Sequence, residues 1–153
     1  MRKTALRCIL LCVAVGCSGQ SHEALCPRHI ETPSYPPLAR AAHVTGMYTL
    51  TVTIDADGSV KHVEAATDNP VAQKHPLLQK YAIENMQQWT FAKPPSPPYT
   101  QVIVYDYEFD ETLPPSGGPS RLPAISKVKF DLPDRVTILT NLMIIDVQNS
   151  RKP

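Results

Sequence analysis

Charge is scarce in this chain of 153 residues: 19% are Asp, Glu, Lys or Arg, with 15 basic side chains against 14 acidic ones. That balance excludes a highly charged disordered chain and provides no basic surface on which to hold nucleic acid. Long apolar runs are missing as well. The longest, 8–17, is about ten residues, far short of the 18 or so that a membrane-spanning helix needs. Aromatic residues make up only 7%, with a single Trp, and neither a Gly-x-Ser-x-Gly elbow nor a phosphate loop is present. The length allows one modest core and no second large one, which argues against a multidomain enzyme. Proline is what the chain has in excess. Its 16 prolines are about twice the usual share, and they gather at 27–37, 94–98 and 114–123, marking irregular spacers around something compact.

Arg2, Lys3 and Arg7 precede the apolar run 8–17, the layout of a secretory signal, so the chain is expected to be exported. Ala14-Val15-Gly16-Cys17 resembles the bacterial lipobox, in which a cysteine after small residues is acylated and becomes the mature N-terminus. Ordinary signal-peptidase cleavage after Gly16 fits the same small residues. The expected organisation is a lipoprotein-type signal at 1–16 and a tether at 17–34, with Cys17 as the lipidation site and a periplasmic location on an envelope membrane. Cys8 and Cys12 leave with the signal. An unlipidated Cys17 is then free to pair with Cys26 across a short loop. Cleavage also removes three basic residues and no acidic one, leaving a slight acidic excess that again offers nothing to nucleic acid.

In the middle of the chain Tyr48, Leu50, Val52 and Ile54 alternate with Met47, Thr49, Thr51 and Thr53. A strict period of two predicts a strand with one buried and one wet face. Asp55-Ala56-Asp57-Gly58 reads as a hairpin turn with Gly58 at the positive-φ position, leading to a weaker strand at 59–66 around Val60, Val63 and Ala65. A calcium loop is excluded here, because its glycine belongs at the sixth position and its bidentate Glu at the twelfth, where Val60 and Ala66 stand. From 76 to 89, Leu78, Ala82, Met86 and Trp89 recur every three to four residues between polar ones, which predicts an amphipathic helix with Pro76 in its first turn. After the prolines at 94–98, Ile103, Tyr105, Tyr107 and Phe109 alternate with Val102, Val104, Asp106 and Glu108. Helix and sheet each have one apolar face and must cover one another, so the expected class is a two-layer α+β domain.

Catalytic and metal-binding patterns do not assemble. His22-Glu23-Ala24-Leu25-Cys26 departs from His-Glu-x-x-His at the second ligand, and Pro27 follows at once. Cys26 with His22 and His29 is a poor metal set beside a tether, and His43, His62 and His75 fall on three different elements. No catalytic residue, metal or cofactor is expected.

Taken in order, Tyr35-Pro36-Pro37-Leu38-Ala39-Arg40, Gly46, the strand ending Ile54-Asp55-x-Asp57-Gly58-x-Val60, and Leu78 through Ala82 and Ile83 to Trp89-x-Phe91 resemble the C-terminal domain of TonB and its relatives. The resemblance covers about 35–110, roughly half the chain. It implies a three-stranded antiparallel sheet packed on two helices, within a domain at 35–111. The structural core it implies comprises Tyr35, Pro36, Gly46, Gly58, Leu78, Ala82, Met86, Trp89 and Phe91. It also implies a periplasmic protein that binds the short N-terminal "TonB box" of an outer-membrane transporter, the bound peptide adding as a strand to the last strand of the sheet. The matching strand here is Val102, Ile103, Val104, Tyr105, Asp106, Tyr107, Glu108 and Phe109, expected as an exposed edge that captures its partner by β-augmentation. Gln79, Lys93, Pro70 and Pro76 depart from the family pattern without disturbing the fold. Between Cys17 and Tyr35 the tether reaches at most about 60 Å, shorter than the spacer of an energy-transducing relative. The alternative is therefore a structural or assembly lipoprotein that reuses the fold without energy transduction.

Beyond a Pro/Gly linker at 112–123 lies a β-rich tail at 124–153, outside the resemblance. Val128 and Phe130 alternate with Lys127 and Lys129, Leu132-Pro133-Asp134-Arg135 can turn the chain, and 135–147 is rich in Val, Ile, Leu and Thr. A hairpin of two strands is marginal in water, so it must dock on the first domain, where it would cover the strand at 102–109, or pair with another chain, for instance in a homodimer.

Overall fold

The computed structural model describes residues 24–66, 75–117 and 124–144. The signal, Cys17 and His22 lie outside them, as does 145–153.

The alternating segment forms β2 (Gly46–Ile54), after a short strand β1 (Pro27–His29) and a one-turn helix α1 (Pro37–Ala41) that begins with its proline. Tyr48, Leu50, Val52 and Ile54 are fully buried. The turn that follows is held by Gly58 N–H donating to Asp55 O at 3.0 Å and by Asp57 Oδ1 accepting from Ser59 N–H at 2.9 Å. Gly58 has φ +92°, and a Cβ there would lie 2.2 Å from the Phe91 carbonyl oxygen, so both conformation and space require glycine. β3 (Val60–Ala65) then pairs antiparallel with β2. Its apolar alternation is weak in the sequence because the register shifts between Thr53 and Ile54, and an inserted residue breaks the period of two.

Helix α2 (Pro76–Met86) is shorter than the predicted 76–89. It ends because the next residues are drawn into β4 (Thr90–Phe91), which pairs with β1. Trp89 therefore sits past the helix rather than on its stripe, yet is 1% exposed. Its Nε1–H is shared between Asn85 Oδ1 and the Glu31 carbonyl, each at 3.1 Å, so the indole is buried without stranding its donor. Leu78, Ala82, Met86 and Phe91 are buried beside it, Tyr35 and Pro36 are buried ahead of α1, and Gly46 is half-buried where β2 starts.

Five strands, not three, make the main sheet, in the order β3-β2-β5-β8-β7. The antiparallel trio β3-β2-β5 is its first part, with β5 running Tyr99–Phe109. The rest comes from the tail: β7 (Ser126–Asp131) is laid down at the far edge, and β8 (Arg135–Thr140) returns antiparallel to it, filling the gap and running parallel to β5. Two dipeptide strands, β6 (Ser116–Gly117) and β9 (Met143–Ile144), pair parallel beyond that. Val136 and Ile138 of β8 are fully buried and belong to the same core cluster as α2, β2 and β5, with Val128 and Phe130 of β7 packed against it. The Trp89 and Phe130 rings, 6.1 Å between centroids, join the family-like half of the chain to the tail.

Removing Trp89 would open a cavity where α2, β4 and β7 converge. Trp89→Ala is expected to cost about 3–5 kcal/mol, most of the stability of a small domain, and to lower the melting temperature followed by circular dichroism sharply; a cooperative melt near the wild-type temperature would contradict this packing.

Candidate strand-binding edge

β5 is built so that one set of side chains holds the core and the other meets water. Gln101, Ile103, Tyr105 and Tyr107 face inward and are buried, while Thr100, Val102 and Glu108 are exposed on the other face, Val102 to 50%. Along its length β5 pairs with β2, from Tyr99 opposite Ile54 to Tyr107 opposite Gly46. Strand geometry sends the backbone groups of alternate residues to the opposite edge. At that edge Val104 N–H donates to Asp134 O at 2.7 Å and, past the strand, Asp110 N–H donates to Thr140 O at 2.9 Å.

The exposed edge expected at 102–109 is thus not exposed. Val104, Tyr105, Asp106, Tyr107, Glu108 and Phe109 lie opposite Arg135, Val136, Thr137, Ile138, Leu139 and Thr140 in a parallel ladder, and β5 is the central strand of the sheet. The physical reason is the core beside it. Tyr105 and Tyr107 leave an apolar shelf next to the edge, and Val136 and Ile138, in register with them, cover it while β8 satisfies the backbone. Val102 and Ile103 precede the stretch that β8 covers.

Side chains fasten the tail at both ends. Gln101, a polar residue on the inward face of β5, accepts from Leu25 N–H at 2.9 Å and donates to Pro133 O at 3.0 Å, so it ties the hairpin turn to the N-terminal segment. Arg135 Nη1 lies 3.4 Å from Asp106 Oδ2 across the β8–β5 pair. At the other end Thr140 Oγ1 donates to Ile125 O at 3.0 Å, and buried Asn141 accepts from Ile125 N–H at 3.0 Å and donates to Pro114 O at 2.8 Å. His43 Nε2 lies 2.9 Å from Met143 O, so α1's flank also meets the last strand. Lys127 stands 3.7 Å from Asp110. Such pairs near the surface are worth little each, and the hold on β8 is mainly its ladder and its two buried branched side chains.

Buried tyrosines set the electrostatics. Tyr105 donates to Asn85 Oδ1 at 2.7 Å, while Tyr107 Oη is buried with no hydrogen-bond partner. Burial pushes both phenols far above the usual range, with a further rise from Tyr107 on Tyr105 and from Tyr48 and Tyr35 on Tyr107. Tyr48, whose hydroxyl donates to His75 O at 3.1 Å, is pushed up by burial to about 12. Hydrogen bonds from Thr112 hold the Asp110 carboxyl below its ordinary value. These groups are locked for packing, and among the described residues no cluster of three or more His, Cys, Asp or Glu is placed to hold a metal ion.

The profile of the family described as "Gram-negative bacterial TonB protein C-terminal" matches residues 31–110, more than half of the chain. The chain belongs to the TonB C-terminal family. Membership gives it a protein-binding role in the Gram-negative envelope, in TonB-related transport, within a family that interacts with outer-membrane transporters. No helix among the described residues is long and apolar enough to cross a membrane. A search of curated proteins finds no match. The TonB C-terminal match stops one residue after β5, so β7 and β8 lie outside it.

The sequence does not single out Gln101 or Asn141, and its helical pattern counts Asn85 with the polar residues, whereas the structure buries it; two of the three left a signal in the sequence. Gln101 interrupts an apolar face at an inward position, and Asn85 lies one helical turn before the Trp whose N–H it accepts.

The tyrosine shifts carry a pH consequence. A phenol whose pKa is raised by folding binds its proton more tightly in the folded chain, so this contribution is complete below the ordinary value of about 10 and is lost as pH climbs. For Tyr48 the loss is complete near pH 12. Alkaline titration is expected to give, for Tyr48, Tyr105 and Tyr107, a tyrosinate absorbance step that coincides with loss of far-ultraviolet circular dichroism above pH 10; titration of these three near pH 10 in a still folded chain would contradict this burial.

Proposed function

We propose that the chain is an envelope peptide-binding module, without catalytic activity, that takes an extended N-terminal segment of an outer-membrane transporter by backbone pairing to the outer edge of β5. One observation carries the reading: the outer edge of β5 accepts a strand, in parallel, over 104–109, as β8 demonstrates. Affinity in strand addition resides in the backbone groups, while alternate side chains set preference. Acylation of Cys17 would hold the module at a membrane surface, since two acyl chains make a stable anchor.

The same observation supports a second reading. A sheet whose β5 edge is already closed suits a structural or assembly lipoprotein that has no need of a transporter, and fold alone does not decide use. Capture from an envelope extract on immobilised protein separates the two. The binding reading expects transporters with extended N-terminal segments among the captured proteins and expects Val104→Pro to lose them, because the proline removes the N–H that now meets Asp134 O. Circular dichroism confirms that the variant is folded. Capture of no transporter favours the structural reading, and equal capture by a folded Val104→Pro protein places the site elsewhere than β5.

A further inference from the structure

The TonB C-terminal match ends at residue 110, yet the strand beside β5 comes from residues 135–140. The tail is therefore an appended element laid on the edge at which, on the reading above, a partner strand is added. We propose that the β7–β8 hairpin is a tethered occupant of that edge, an internal competitor that a partner segment must displace.

Three features support exchange over simple closure. First, β8 meets the domain as a bound peptide would: one extended segment, parallel to β5, with Val136 and Ile138 on the core shelf and Thr137 and Leu139 on the outer face. Secondly, it is anchored by separable contacts at its two ends, Gln101 and Asp106 holding the start and Asp110 the finish. Thirdly, among the described residues its only other strand neighbour is β7, which pairs with nothing else in the sheet: Ser126, Lys127, Lys129 and Asp131 face water, and β7 touches the core through Val128 and Phe130, so the hairpin leaves as a unit once these and the Phe130–Trp89 contact part. The segment 110–125 leads from β5 to the hairpin, and a short tether of this kind supplies its own strand at an effective concentration of about millimolar. A free segment competes only when it binds well or when the hairpin is loosened. The partner chemistry follows from the occupant: an extended stretch with branched apolar residues at alternate positions, entering in the direction of β5.

The test uses the full mature chain and, as probe, a fluorescent synthetic peptide of residues 133–142. Ile138→Ala weakens the docking of the resident strand, and its affinity for the probe is expected to rise by roughly ten-fold or more over wild type. A second variant, Glu108→Cys with Leu139→Cys in a chain whose other cysteines are serine, joins paired positions on the outer face. Its oxidised form is expected to lose the probe and its reduced form to regain it, with thermal melts confirming that each is folded. Equal probe binding in wild type, Ile138→Ala and the oxidised chain overturns the proposal, as does absence of probe binding in every folded form. The inference rests on the β5 reading of function but fails separately from it: a loosened chain that binds the probe and captures no transporter keeps the internal competitor and removes the transporter as partner.

Discussion

The outward edge of β5 is the constraint around which this fold is arranged. Its N–H and C=O groups lie beside Tyr105 and Tyr107, two side chains too apolar in their setting to be left next to water. A backbone group buried without a partner costs about 1–3 kcal/mol, so an edge with an apolar shelf beside it must be paired by something. Here the chain supplies the partner itself. β8 satisfies the ladder over 104–109 and in the same step buries Val136 and Ile138, each contributing about 1.5–3 kcal/mol of burial. Phe130 then reaches Trp89, and α2, β4 and the tail share one core.

Much of this was legible because periodicity is local. The alternation in β2 and β5, the turn at Asp55 to Gly58, the helix from Pro76 and the hairpin-like tail all follow from residues that are near one another in the chain. What escaped was set by distant partners. The bulge in β3 depends on its pairing with β2, and the early end of α2 depends on β1 claiming Phe91. The edge itself was the largest correction. Residues 102–109 carry every mark of an edge strand, including Asp106 and Glu108 on the wet face, and nothing in them reports that residues 135–140 come back in parallel. A parallel return needs a long crossover, and here β7 and the segment before it provide one without leaving a local pattern. The hint was available in the tail, where Val136 and Ile138 repeat the spacing of Tyr105 and Tyr107.

Family membership and the tail pull on the same residues. The TonB C-terminal match accounts for the chain as far as residue 110, and with it for an envelope protein-binding role. The described structure accounts for the state of the edge, which is filled. A binding module that carries its own strand differs from an open one in threshold rather than in chemistry. Whatever adds to β5 must make the same hydrogen bonds and cover the same tyrosines as β8, in competition with a strand that is always near.

Amide hydrogen exchange on the full chain, read residue by residue, tests this account most directly. Val104 and Asp110 direct their N–H groups to the tail, and strand alternation sends those of Asp106 and Glu108 the same way. The account predicts that Val104, Asp106 and Glu108 exchange slowly and together with Val136 and Ile138, the β8 residues whose N–H groups face β5 in the parallel ladder, and that Ile138→Ala speeds this set while the amides of β2 stay protected. Fast exchange of Val104, Asp106 and Glu108 in the wild-type chain, at the rate of an open edge, would contradict it.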